Sequence, residues 1–461
     1  MRVAIIGAGP AGIYASDILL KSELGAAGEI NIDLFEQMPA PFGLIRYGVA
    51  PDHPRIKGII TALHRVLDKP GVRVLGNVTV GRDVSVEELH EYYDAIIFST
   101  GAVADRDLNI PNIDAKGSFG AADFVGFYDG NPRFSREWDL SAKQVAVIGV
   151  GNVGLDVARI LAKTGEELDV TEIPENVYES LKKNQAEEVH VFGRRGPAQA
   201  KFTPQELKEL DHSPTINVVV SPEDIDYDEA SIEARQASKS QDLVCQVLEN
   251  YAIREPKDAP HLLHIHLFES PTEVLVDDDN NVVGLRTERT ELDGTGNVVG
   301  TGKFTDWPVQ SIYRAVGYRS DAVEGVPFDG NNFVIPNDGG HVLTERDGDI
   351  IPGLYATGWI KRGPVGLIGN TKSDAKETID MVLADYQEGN LQAPAHPGED
   401  EILALLESRD VKPTTWDHWY SLDAAEKALG EAKGRVRKKI VEWEEQLQAA
   451  WGGHASQDNH S

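Results

Sequence analysis

The 461-residue sequence carries 75 acidic against 44 basic side chains, and its formal net charge of −31 argues against a nucleic-acid binder. A hydrophobic content of 41% and 44 glycines fit a soluble, loop-rich α/β protein of two or three domains, and no apolar run reaches the roughly 18–20 residues needed to span a bilayer. The single cysteine, Cys245, excludes an internal disulfide, a Cys-x-x-Cys redox pair and a cysteine-held iron–sulfur cluster.

Arg2-Val3-Ala4-Ile5-Ile6 opens the chain as a short apolar run, the pattern of a parallel strand covered on both faces. It lacks a signal peptide's layout, so the cytoplasm is the expected location. Gly7, Gly9, Pro10 and Gly12 follow, spaced to make a tight turn, to let the backbone approach a pyrophosphate and to pack a helix close to the strand. The helix continues through Ile13 to Leu20, its free N–H groups facing the phosphates. A second strand, Asn31 to Phe35, ends in Glu36, which is placed to accept hydrogen bonds from a ribose. Such an acid suits either FAD or NAD. Farther on, His53 precedes Pro54, a favourable first residue for a helix from Arg55 to Leu67, where a histidine reads by itself as structural. An apolar strand from Ala95 then runs into Thr100-Gly101.

The pattern recurs at Gln144 to Ile148, with Gly149, Gly151 and Gly154 enclosing Asn152 and Val153, and a helix over Leu155 to Ala162. Two segments compete for its second strand. Leu168 to Glu172 would offer Glu172 to a ribose and imply NAD. Glu188 to Gly193 alternates more cleanly and leads into Arg194-Arg195, whose forked donors match a 2′-phosphate and imply NADP(H), with residues 164–186 as an inserted excursion. His261, His264 and His266 alternate like strand residues, and the 13 histidines show no metal-ligand spacing, so no metal is expected. Near the C-terminus an apolar strand ends at Thr357-Gly358-Trp359. The loop Gly363 to Gly369, which includes Gly366, Leu367 and Ile368, then opens a helix over Lys372 to Tyr386. Its amides and dipole suit the N1/O2 edge of a flavin, where negative charge collects on reduction. The charged, helical stretch from Gly398 to Trp451 spaces Ile402, Leu405 and Leu406 on one face, as a cap would, and the tail Gly452 to Ser461 reads as disordered.

The strands ending at Thr100-Gly101 and Thr357-Gly358 resemble those by which two-dinucleotide flavoprotein reductases close around FAD. With Pro41-Phe42-Gly43-Leu44-Ile45-Arg46-Tyr47-Gly48-Val49-Ala50-Pro51-Asp52-His53-Pro54, Phe124 to Tyr128, Gly193 to Pro197, the Gly363 to Gly369 loop, Trp416-Asp417-His418-Trp419 and Gly434-Arg435, nearly the whole chain resembles the adrenodoxin reductase-like ferredoxin–NADP+ reductases. These are flavoproteins related in fold to glutathione reductase.

The resemblance implies an α/β fold of two Rossmann-like, three-layer dinucleotide-binding domains. An NADP domain (105–318) would be inserted into an FAD domain (1–104 and 319–397), followed by a helical extension (398–461). It further implies that Glu36 binds the FAD ribose, that Leu44 and Val80 line the adenine and pyrophosphate side, and that Arg194 and Arg195 hold the NADP 2′-phosphate. Glu206, Trp359 and Gly366 would contact the nicotinamide half, and His53 and Glu209 would form a polar pair near the reacting rings. The implied activity is hydride transfer from NADPH to flavin N5, then single electrons to a ferredoxin docked on a local basic patch, with Arg46, Arg55, Lys57, Lys361, Arg362 and Lys372 as candidates. A quinone- or diaphorase-type flavin reductase and a non-catalytic nucleotide-sensing subunit are the competing readings. Two departures from the family pattern stand out: Gly154 where alanine is common, and Gly369-Asn370-Thr371-Lys372 in place of Gly-Thr-Asn-Lys.

Overall fold

The computed structural model describes residues 1–366 and 368–452. The chain divides into two compact units, one formed by residues 1–49, 53–104 and 318–461, the other by residues 50–52 and 105–317.

The first unit is built on a seven-stranded sheet. Its order is Asn337–Asp338, His341–Leu343, Ile350–Ala356, Ala95–Phe98, Arg2–Ile6, Asn31–Phe35 and Val72–Leu75. The last five are mutually parallel, and the first two add antiparallel at one edge. Alternation along Arg2–Ile6 explains the layering. Val3 and Ile5 enter the core shared with the helices Pro10–Lys21 and Ile368–Glu388, while Ala4 and Ile6 enter a core closed by Leu89, Tyr93, Ile402 and Leu406. The C-terminal helices Glu401–Ser408, Trp416–Glu431 and Trp443–Gly452 belong to this unit, and Trp419, Leu422 and Ala450 pack into its first core. The tail residues 453–461 lie outside the described residues. Asp33 is buried mid-strand yet satisfied: Arg2, Arg73 and the Tyr93 hydroxyl all donate to it, as a charge withdrawn from water requires.

The second unit carries a six-stranded, wholly parallel sheet. The order is Ser118–Gly120, Ser311–Arg314, Gln144–Ile148, Glu188–Phe192, His261–His266 and Ile216–Val220. Val145 and Val147 face a helical layer that includes Asn152–Ala162 and Lys239–Ile253. Ala146 and Ile148 face a different cover, in which Val274, Val282, Leu285 and Val309 come from or adjoin the antiparallel sheet Glu269–Val276, Val282–Leu292 and Val298–Trp307. The third layer of this unit is thus a small sheet on that side. The helix expected from Arg55 to Leu67 is two, Pro54–Lys57 and Ile59–Leu67, interrupted at Gly58. Among the described residues, no helix is long and apolar enough to cross a membrane.

Candidate functional site

Arg2–Ile6 in the first unit and Gln144–Ile148 in the second each lie between the next strand in sequence and a later one, so a crevice opens at the C-terminal end of each. The glycine turns sit there and share one geometry. Gly7 and Gly149 have φ of +110° and +131°, and a Cβ on either would meet the carbonyl oxygen of Ser99 or Ala315 at 2.5 or 2.1 Å. Only glycine fits such a turn. A Cβ on Gly12 would lie 2.1 Å from the Gly7 carbonyl oxygen, so the third glycine sets the close approach of helix and strand. Gly151 faces space empty of protein to 4 Å, and Gly9 has only the Gly43 backbone at 3.8 Å. The helices that follow, from Pro10 and Asn152, have glycine N-caps, no side-chain cap and no acid in the first turn. Their orphan N–H groups are therefore left to an outside anion. These residues fit a dinucleotide pyrophosphate at each turn.

Around the first turn, Glu36 is buried. Its carboxylate accepts from the N–H of Ala8 at 3.0 Å and of Met38 at 3.0 Å, which fixes it at the strand end. Thr100 has a buried hydroxyl without a hydrogen-bond partner among the described residues, and the neighbouring Gly101 (φ +73°) has nothing within 4 Å of a Cβ position. Leu44 begins the short helix Leu44–Tyr47, half-buried, and Val80 is half-buried in a bridge to Val84. Trp359 starts the short helix Trp359–Arg362 behind Gly358. That corner is held by Asp374, a buried carboxylate that sequence reasoning missed. It accepts from Gly358 N–H at 2.6 Å and Thr357 Oγ1 at 3.0 Å, and pairs with Lys361 at 3.1 Å and Arg362 at 3.0 Å. Gly366 is exposed with φ +89°; Ile368 begins the helix Ile368–Glu388; Leu367 lies outside the described residues. In the reordered segment Thr371 is buried and Asn370 exposed. His53 is buried in this unit, and its carbonyl accepts from Lys57 N–H.

Two of the expected docking cations are not surface groups. Arg46 is 2% exposed and bidentate with Glu426, and Lys361 is buried against Asp374 and Glu377. Charge in a sequence marks a cation but not its burial. Arg55, Arg362 and Lys372 are exposed and Lys57 is half-buried.

In the second unit the strand beside Gln144–Ile148 is Glu188–Phe192, paired in parallel register from Gln144↔Glu188 to Ile148↔Phe192. Leu168 to Glu172 is the end of the helix Gly165–Leu168 and a turn, so Glu172 is at no strand end. Arg194 is exposed and Arg195 half-buried. Their carbonyls are tied by Thr290 Oγ1 at 2.7 Å and Phe268 N–H at 3.1 Å. Neither guanidinium has a hydrogen bond or ion pair among the described residues. Asn152 Oδ1 accepts from Thr203 N–H at 2.9 Å, bracing the glycine turn against the loop before the helix Pro204–Glu209; Val153, in the first turn of the glycine helix, is half-buried. Glu206 on that helix is buried, and Glu209 at its end is half-buried, accepting from Gln205 Nε2 at 3.3 Å. Asp52, from the long signature, belongs to this unit. It accepts from Arg159 Nε at 2.7 Å and Lys163 Nζ at 2.9 Å, both from the glycine-turn helix or its end, a link that no local pattern announces.

Residues 1–192 match the family model described as pyridine nucleotide-disulphide oxidoreductase. The chain is 39% identical to the NADPH-ferredoxin reductase FprA of Mycobacterium tuberculosis, over 98% of this chain and 99% of that one. It is 37% identical to the mitochondrial NADPH:adrenodoxin oxidoreductase of Arabidopsis thaliana, over 98% and 95%. The solved structure of Mycobacterium tuberculosis FprA in complex with NADPH superposes with a TM-score of 0.89 at 39% identity, covering 98% of this chain and 99% of that one.

Proposed function

The chain belongs to the adrenodoxin reductase-like ferredoxin–NADP+ reductase family, and from that premise we propose that it takes electrons from NADPH and passes them singly to a ferredoxin-type iron–sulfur protein. The observation that carries this reading is the pair of like turns with unlike ends, Glu36 in one unit and Arg194-Arg195 in the other. We assign FAD to the first and NADP(H) to the second. Bound FAD supplies the exchange between a two-electron donor and a one-electron acceptor.

The protein's part is binding and orientation. Glu36 takes the ribose hydroxyls, the uncapped helix at Pro10 takes the pyrophosphate, and Asp374 holds the Gly358–Trp359 corner rigid. Leu44, Val80 and Gly101 complete the FAD contacts, with the Gly363 to Gly369 loop at the flavin. Asn152, Val153, Glu206, Trp359 and Gly366 face NADP(H), and His53 and Glu209 act beside the reacting rings. No thiol relay exists: the sole cysteine, Cys245, is buried, and burial pushes its thiol pKa up. A buried free thiol also suits the reducing cytoplasm, the compartment we propose.

Purified protein should be yellow, bleach anaerobically with NADPH at concentrations at which NADH is without effect, and recover colour when an oxidised ferredoxin is added. Persistence of the reduced colour with ferredoxin but recovery with a quinone would replace this reading with a diaphorase. We place docking at the exposed cations Arg55 and Lys372, since a chain of net charge −31 needs a local positive patch to attract an acidic partner. Ferredoxin reduction should then slow with added salt, and the double charge reversal Arg55→Glu/Lys372→Glu should slow it about tenfold or more while NADPH bleaching is unaffected. An unchanged rate removes the patch. Gly12→Ala should yield colourless protein, because its Cβ would lie 2.1 Å from a backbone oxygen of the turn. Flavin absorbance per polypeptide is the readout, and wild-type loading would refute the assignment.

A further inference from the structure

Three histidines that lie far apart in the sequence form one stack on the sheet of the second unit. His190 and His264 are direct partners on adjacent parallel strands, and His266 is two residues farther along, on the same face. The rings of His190 and His264 are 4.7 Å apart and 5° from parallel; those of His264 and His266 are 5.5 Å apart and 7° from parallel. Each offers a ligating nitrogen within 4.8 Å of the others.

Glu188, the first residue of the same strand as His190, turns its carboxylate toward them. Its Oε2 is 3.4 Å from His190 Nε2 and 3.3 Å from His264 Nε2. Both nitrogens are buried, and neither is aligned for a hydrogen bond with any described residue. Three acceptor-capable atoms thus converge with no proton aligned between them. An ion held tetrahedrally by nitrogen and oxygen at about 2.0–2.1 Å sets its donors about 3.3–3.4 Å apart, and both distances from the Glu188 oxygen to the imidazole nitrogens match that spacing.

We propose that Glu188, His190 and His264 form a binding site for a zinc-class divalent transition-metal ion, with His266 as a positioning residue. His266 Nε2 lies 2.9 Å from His190 Nδ1. A proton on that Nδ1, donated to His266, leaves the His190 Nε2 lone pair free to ligate, the usual arrangement of a metal-binding histidine and its hydrogen-bond partner. Trp307, 4.4 Å from the His266 ring, backs the stack with an apolar wall. A cavity of about 380 Å³, bounded by His264, His266, Val219 and Tyr251, adjoins the stack on the side of His264 and His266. The donor set, two imidazoles and a carboxylate, suits zinc and also admits copper(II) or nickel(II).

The test is direct. FAD-loaded full-length protein is stripped with EDTA, dialysed and titrated with zinc chloride against a chromogenic chelator. The expected result is one zinc per chain, with affinity reduced about 10–100-fold in His266→Gln and by more in Glu188→Gln and in His264→Ala. Glu188 and His264 are only partly buried, so these two variants should stay folded, which circular dichroism checks. Absence of stoichiometric zinc uptake by the wild type would overturn the site, as would wild-type affinity in folded Glu188→Gln and His264→Ala.

Discussion

Replacing both Arg194 and Arg195 with alanine is expected to raise the KM for NADPH by about a hundredfold or more, to leave kcat nearly unchanged, and to leave the KM for NADH where it was. The structure gives the reason. The two carbonyls are fastened to Thr290 and Phe268, so the backbone of this turn is fixed, while neither guanidinium has a partner among the described residues. Hydrogen bonds to a charged group contribute roughly 1.5–3 kcal/mol each, about ten- to hundredfold in dissociation per arginine. A 2′-phosphate lies far from the reacting carbon of a nicotinamide, so its contacts are equal in ground and transition states and act on KM alone. Steady-state kinetics with both nucleotides decides the matter. An NADPH KM that moves less than about threefold, or an NADH KM that rises in parallel, would remove the arginines from the 2′-phosphate site.

The second large effect is on stability. Glu426→Gln should destabilise the first unit by about 3–5 kcal/mol, the cost of leaving a buried charge uncompensated. Glu426 is fully buried and Arg46 is 2% exposed; their paired contacts are 2.9 and 2.5 Å. Glu426 also accepts from Arg437 at 3.0 Å and from Ile440 N–H at 3.1 Å, so one carboxylate ties together Arg46 and two later positions of the chain. The Arg46 guanidinium stands 5.4 Å from the Trp419 ring centre, which provides no compensating negative charge. Urea unfolding followed by flavin release measures the loss. The double variant Arg46→Met/Glu426→Leu should recover most of it, since a buried pair exchanged for apolar groups of similar size is often neutral. A loss below about 1 kcal/mol in Glu426→Gln would show the pair to be dispensable.

Much of the architecture was legible because it is local. Strand, glycine turn, helix and second strand occupy contiguous segments in each unit, and periodicity and glycine spacing encode them directly. The rival strand at Leu168 to Glu172 lost to Glu188–Phe192, whose alternation matches a buried parallel strand with a register partner. What stayed hidden joins distant positions. Arg46 reads as a surface cation until Glu426, 380 residues away, is brought to it. Asp374 looks like any helical acid until Gly358 and Thr357 donate to it. His264 and His266 read as strand residues, and only the pairing of two parallel strands adds His190. Spacing within a segment cannot report a partner supplied by another.

The division of the first unit among three stretches of chain has a consequence for biosynthesis. Its sheet begins with Arg2–Ile6, but the strand that covers the edge of Ala95–Phe98 is Ile350–Ala356, and the helix over one face is Ile368–Glu388. A ribosome therefore delivers the entire second unit while that edge still has unpaired N–H and C=O groups and one apolar face is only partly covered. The second unit, nearly continuous in sequence, can close as it emerges. The first cannot close until the last helices leave the exit tunnel. Nascent chains stalled between Phe98 and Ile350 are thus the species most in need of a chaperone, and a slowed codon in that stretch would be the most hazardous to yield.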